Sequence, residues 1–279
     1  MYFCQKFVMK RKERTERATA KATLPKLVFI GSGNLATQLA LVFSEKGYSI
    51  LQVYSRTEES AATLSGKINC PYTTDIAMLD KSADVYICAL KDSVLQEVLS
   101  QADFNNKLII HTAGSVPMDI LSEYSSNYGV FYPLQTFSKN RRVDFSKIPV
   151  FIESNNRKNF SLVKLLADSV SKVVYKANSE HRKKLHLAAV FACNFTNHLY
   201  AIAAKIIEES GGFPMEVLLP LIDETAAKVH TLSPAEAQTG PAVRHDKNVI
   251  DGHLEMLESD KELRGVYEVM SGCIGGYYF

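Results

Sequence analysis

Cysteine is sparse and arranged for nothing: Cys4, Cys70, Cys88, Cys193 and Cys273 are odd in number, scattered, and never form a C-x-x-C pair. Neither a disulfide framework nor a zinc knuckle can be built on that spacing, so a reducing, cytoplasmic compartment is expected. Long apolar runs are missing as well. The nearest, residues 187 to 207, is interrupted by Asn194, Asn197, His198 and Lys205, and no membrane span is expected. The first residues lack the apolar core of a signal peptide, and their two glutamates argue against an organelle transit sequence. No internal repeat, RNA-binding signature or metal-ligand cluster is readable. His245, Asp246 and His253 do not have metal spacing on one helix face, and no metal is expected.

What is present points to a well-cored globular protein. With 279 residues, 46% apolar and 22% charged, two domains are expected at about 150 residues each. The net charge of +2 hides a division, because residues 1 to 23 carry seven Lys/Arg against two Glu, which is +5, and the remainder carries −3. That basic extension is either a solvated tail, with Met9 as an alternative start, or an interaction arm. Nucleic acid would rest on those charges alone and is not expected as a partner.

From residue 24 the chain alternates short apolar runs with helical periodicity. Strands are expected at 27–30, 50–54, 85–90, 108–111, 130–132 and 150–152, with helices between them, the signature of a parallel sheet buried on both faces. The right-handed crossover rule then favours a doubly wound α/β fold for residues 24 to 178. After the first strand comes Gly31-Ser32-Gly33-Asn34-Leu35-Ala36, a G-x-G-x-x-A between strand and helix. The first glycine permits a tight turn, the second admits a pyrophosphate to the backbone, and Ala36 lets the helix pack close.

The second strand ends in Ser55-Arg56-Thr57, where a carboxylate would mark NAD. Two hydroxyls and a guanidinium suit a 2′-phosphate, so NADP is the expected cofactor; alternatively Arg56 is a surface residue and Glu58 or Glu59 discriminates. Leu90 and Lys91 leave the strand expected at 85–90, and Ala113 and Gly114 the one at 108–111, at the carboxyl edge where such sheets bind ligands. Tyr132 follows at the end of the next strand and either lines a substrate pocket or belongs to a buried strand.

From about residue 179 helices take over, giving an all-α domain over 179 to 279. Leu185 to Glu209 contains no Pro or Gly and would be roughly 37 Å long at 1.5 Å per residue. It is apolar nearly all round, so it should be buried on most sides, and a homodimer through this domain is expected. At about 100° per residue, His186, Val190, Asn194, Asn197 and His198 share one face. Those polar groups either face a ligand or are satisfied within the domain or across a subunit interface. In the loop before Asp246, Arg244 either clamps an anionic substrate or pairs with Asp246, which would also cap the next helix.

GSGNLA, the SR strand end, ALKDS, HTAGS, YPLQTF, HLAAVFACNFTNHL and TGPAVRHD together resemble a family of NADP oxidoreductases. Its members pair a Rossmann domain, similar to that of pyrroline-5-carboxylate reductase and deazaflavin-dependent NADP reductases, with a helical domain of unknown function. The resemblance spans about residues 25 to 275 and implies an NADP-dependent oxidoreductase. More distant relatives, the β-hydroxyacid dehydrogenases and ketopantoate reductases, carry a catalytic lysine one turn before an asparagine on this helix. Matching Asn194 puts Val190 in that place, and valine cannot exchange a proton. His186 or His198 is therefore the expected proton donor, with Asn194 orienting the substrate and Tyr132, Asn197 and Arg244 contacting it. The alternative is a binding protein that holds NADP as a sensor or scaffold without turnover.

Overall fold

Apolar side chains at consecutive positions of a strand must find cover on both faces of a sheet. β1, Leu27–Ile30, is fully buried, with Leu27 and Phe29 in one apolar cluster and Val28 and Ile30 in another. The structure, a computed structural model, describes residues 24–277, so the basic extension at 1 to 23 lies outside the described residues. It divides into a first unit ending at Val190 and a second, Phe191–Phe279.

In the first unit β1 is followed by α1 (Asn34–Glu45), β2 (Ile50–Tyr54), α2 (Glu58–Ile68), β3 (Tyr72–Thr73), β4 (Val85–Cys88), α3 (Leu95–Leu99), β5 (Leu108–His111) and β6 (Tyr128–Pro133). β7 (Val150–Ser154), α4 (Arg157–Val170), β8 (Val174–Lys176) and α5 (Ser179–Ala189) complete it. The strands form one eight-stranded sheet in the order β3-β2-β1-β4-β5-β6-β7-β8. The doubly wound expectation holds from β3 to β6, where every pairing is parallel. Two strands were not expected, the short edges β3 and β8, which offer too few apolar residues to register as runs. The all-parallel expectation fails at β7, which runs antiparallel to β6. The connection between them holds only a short 3-10 turn at Phe145–Lys147 and no crossover helix, and without a crossover the chain returns alongside in the opposite sense.

The second unit is helical: α6 (Thr196–Ser210), α7 (Leu219–Lys228), α8 (Pro234–Ala237), α9 (Lys247–Met256) and α10 (Lys261–Tyr277). Ser233 and Glu236 form the expected capping box at α8, whereas Asp246 stands at the start of α9 without a side-chain cap bond. The boundary expected at residue 178 falls instead at Val190. The reason is local, since α5 starts at an Asn178 cap and is fastened to the first unit by a buried arginine described below.

α5 and α6 belong to one helix, Ser179–Ser210, longer than the expected 185 to 209 and joined through a π turn at Val190–Phe195. A π turn takes more residues per turn than an α-helix, so a steady 100° step does not hold through it. The straight polar stripe drawn from His186 to His198 is therefore bent at Asn194. The Thr196 hydroxyl donates to the Phe191 carbonyl at 3.3 Å there, and Phe191 packs edge-on to Phe195 at 4.9 Å. In the single chain the helix leaves Leu187, Phe191, Phe195 and Ile206 exposed. By length and mean hydropathy, 1.3 over its most apolar stretch, it also meets the criteria of a membrane span; Asn194, Asn197 and His198 are the polar breaks within it.

Candidate functional site

The glycine turn forms for a steric reason. Gly31 has φ +117°, and a Cβ there would lie 2.3 Å from the Ala89 carbonyl oxygen, so only glycine fits. At Gly33 a Cβ would meet nothing within 4 Å, which leaves the backbone open to a ligand. The next residue begins α1, whose first turn holds no acidic residue and no side-chain cap bond. Its leading N–H groups are thus available to an anion. The Ser32 hydroxyl donates to the Ser55 hydroxyl at 2.8 Å, tying this turn to the end of β2.

A cavity of about 290 Å³ opens on that turn. Of the residues expected to bind cofactor, Gly31, Ser32, Gly33, Ser55, Arg56, Thr57, Leu90 and Lys91 line it, joined by Ser60, Ala89, Val94 and Lys139. Arg56, Lys91 and Lys139 bring three cations, and no carboxylate takes part. Glu58 and Glu59, the alternative discriminators, stand in the first turn of α2 and do not line it. The other four expected residues lie elsewhere. The Asn34 amide donates to the Phe137 carbonyl at 2.9 Å, Leu35 packs against the core, and Ala113 and Gly114 belong to a second constellation. A dinucleotide with a 2′-phosphate fits the first cavity on charge and on the open Gly33 backbone.

That second constellation sits where β5 and β6 reach their carboxyl ends. The Tyr132 hydroxyl lies 3.1 Å from Nδ1 of His186. Gly114 faces both, and a Cβ there would be 2.8 Å from His186 Nδ1 and from the Tyr132 hydroxyl. This glycine is required by protein side chains, a reason the sequence alone did not supply. Burial pushes the Tyr132 phenol up to about 12, so it stays protonated at neutral pH, with the charge of Arg182 pulling the other way and Asp92 adding to the rise.

Arg182 is the residue that sequence reading missed. Its side chain is 0% exposed, and Nη1 donates to the carbonyls of Ala113, Gly114 and Val116 at 2.8, 3.3 and 2.7 Å. Nη2 reaches Glu153 and the Ser179 hydroxyl, both at 3.0 Å. In the stretch Ser-Glu-His-Arg-Lys-Lys it looks like one more solvated charge, and only the docking of α5 on the sheet edge buries it. Beside it His111 is buried, accepts from the Ala113 N–H at 3.2 Å through Nδ1, and is held neutral, its pKa lowered to about 3 by burial and then by Arg182. The Ser115 hydroxyl donates to Asp92, linking the loops after β5 and β4.

The remaining expected residues, Asn194, Asn197, His198 and Arg244, belong to the second unit and are exposed there. Asn194 occupies the π turn, a feature frequent at functional sites. Arg244 forms no ion pair with Asp246, contrary to one of the two readings of that loop. Among the described residues no group of acidic, His and Cys side chains could hold a metal.

Comparison with known proteins agrees with this layout. Residues 26–114 match the family model described as NADP oxidoreductase, coenzyme F420-dependent, and residues 148–274 match a domain of unknown function (DUF2520). The latter begins at β7, inside the sheet. No curated protein matches the chain. Among solved structures, a "putative NADP oxidoreductase" from Bacteroides fragilis is 50% identical, with TM-score 0.85 and coverage of 90% of this chain and 98% of that one. An imine reductase from Myxococcus stipitatus in complex with NADP+ shares the fold at 17% identity and TM-score 0.63, covering 90% and 93%. A 1-pyrroline-5-carboxylate reductase from Streptococcus pyogenes does so at 16% and 0.57, covering 90% and 98%. The chain therefore belongs to the NADP oxidoreductase family of the Bacteroides fragilis protein, a Rossmann-like domain continued by DUF2520, with NADP as the family's cofactor.

Proposed function

We propose that the protein transfers hydride between NADP(H) and a small carbonyl or imine, with Tyr132 and His186 as the proton source, and that it works in the cytoplasm as a homodimer. The observation that carries the chemistry is the 3.1 Å contact between Tyr132 and His186 against Gly114. Bound NADPH would supply the hydride. A carbon–oxygen or carbon–nitrogen double bond that accepts it also needs a proton at the heteroatom. The protonated phenol of Tyr132 donates to Nδ1 of His186, which leaves the Nε2–H of the imidazole to be delivered; as it leaves, the phenol proton passes to Nδ1, and solvent returns a proton to the phenolate, whose raised pKa favours that return. Val190 cannot serve in that role. Arg182 and Gly114 hold the pair in place without exchanging protons. The imine class is the first to try, because an imine reductase and a pyrroline carboxylate reductase share the fold.

The homodimer is supported by the second unit itself, in which Ala242 alone is buried among the described residues. The absence of disulfides among Cys70, Cys88, Cys193 and Cys273 supports the compartment. Nicotinamide absorbance followed across cyclic imines, keto acids and aldehydes tests the reaction. Turnover is expected with at least one class, falling about 100-fold in Tyr132→Phe and His186→Ala while NADP+ affinity is kept. Full activity in both variants would remove the proton assignment, and wild-type binding of NADP+ without turnover of any class would favour a sensor or scaffold. The same assay on Asn194→Ala and His198→Ala tests the roles expected for those residues.

A further inference from the structure

The connection after β6 carries a lysine that neither the glycine turn nor the β2 end accounts for. Phe137 to Arg141 lie along α1 as a strap. Asn34 Nδ2 donates to the Phe137 carbonyl at 2.9 Å, and Gln38 Nε2 donates to the carbonyls of Ser138 and Lys139 at 2.8 and 3.4 Å. Gln38 is only 2% exposed, so this hook is sheltered from water. Ser138 and Arg141 close a bridge, and Phe137 stacks on Phe145 at 5.6 Å, which holds the strap's first residue a second time. Two cations of this connection, Lys139 and Arg142, then part company. Arg142 pairs with Glu45 on α1, while Lys139 forms no ion pair among the described residues and lines the 290 Å³ cavity with Gly33 and Arg56.

We infer that Lys139 is a phosphate ligand for the dinucleotide, carried to it by a strap that the phosphate-binding helix α1 itself holds in place. An ammonium on a four-carbon stem is a point charge with rotatable donors, suited to a phosphate approached from the side. Its backbone is fastened one helical turn behind the α1 N-terminus, so the helix that presents its N–H groups also sets the lysine's reach. The inference rests on NADP occupying this cavity, and the test separates the two failures.

Calorimetric titration of the intact protein with NADP+, NAD+ and adenosine 2′,5′-bisphosphate is the measurement. Lys139→Ala is expected to weaken NADP+ binding five- to tenfold with an unchanged melting temperature, and Lys139→Arg to recover most of it. Arg142→Ala removes the neighbouring cation just beyond the strap and is expected to bind NADP+ like wild type. Gln38→Leu, which unhooks the strap, is expected to lose as much as Lys139→Ala, and the double variant little more than either. A loss confined to NADP+ and the bisphosphate assigns Lys139 to the 2′-phosphate; an equal loss with NAD+ assigns it to the pyrophosphate. Wild-type affinity in Lys139→Ala, or an equal loss in Arg142→Ala, overturns the inference while leaving the cofactor site standing. Failure of wild type to bind any of the three ligands overturns the cofactor site and the inference with it.

Discussion

His111 shows what a single buried imidazole does to pH dependence. Its ring is neutral in the fold, with the pKa lowered from 6.5 to about 3, whereas in the unfolded chain it takes up a proton below about 6.5. The unfolded state therefore binds more protons between those values, and stability falls as pH falls through that window, by at most about 1.4 kcal/mol per pH unit for this one group. Above pH 6.5 the contribution is fully present. Denaturant unfolding at pH 7.5, 6 and 4.5 should show a steeper decline in wild type than in His111→Leu, although the variant starts lower because the Ala113 N–H loses its acceptor. Parallel declines would mean that the ring titrates alike in both states.

At the scale of elements, α5 is the fastening of the site. Its Arg182 gathers three carbonyls of the turn after β5 and the carboxylate of Glu153 on β7, and one helical turn later His186 meets Tyr132. Removing one partner of a buried charge pair leaves the other uncompensated, at a cost of about 3–5 kcal/mol. Arg182→Met should accordingly lower the stability of the fold by about that much in urea unfolding. Adding Glu153→Leu should recover part of the loss, because the orphaned charge goes with it. A double variant no more stable than Arg182→Met would show that the carbonyl contacts, not the ion pair, carry the cost. The expectation of a long helix was correct in kind, and it erred in phase because periodicity counts residues and cannot register a π turn.

For the whole molecule the deciding fact is how little the second unit buries. Phe213 and Met256 are 69% and 77% exposed, and Leu221, Val229 and Val269 are more than half exposed. Large apolar side chains exposed in this number suit an association surface. In the proposed homodimer these helices cover one another across a two-fold axis, as obligate dimers with no stable monomer do. Light scattering should give a mass of about twice 31.1 kDa at micromolar concentration, and unfolding midpoints should rise with protein concentration. A monomeric mass with a concentration-independent midpoint would refute it. Substituting Phe213→Glu and Leu221→Glu together should shift the equilibrium toward monomer.

Residue chemistry with short reach was legible in the sequence. Gly31 and Ala36 encode a strand–turn–helix because each is demanded by contacts within a few residues or across one strand, Gly33 leaves the backbone between them open, and Ser55-Arg56-Thr57 declares the charge that the cofactor must carry. The continuous apolar runs of β1, β4 and β5, buried at every position, were equally local. Tertiary structure alone decided the rest. Arg182 becomes buried, Gly114 becomes obligatory, and Lys139 becomes a cavity residue only when segments 29 to 101 residues apart are packed together, and a charge in a row of charges carries no mark of that fate. The same limit explains the apolar helix: composition demanded that it be covered, but cover is a property of the surfaces brought against it.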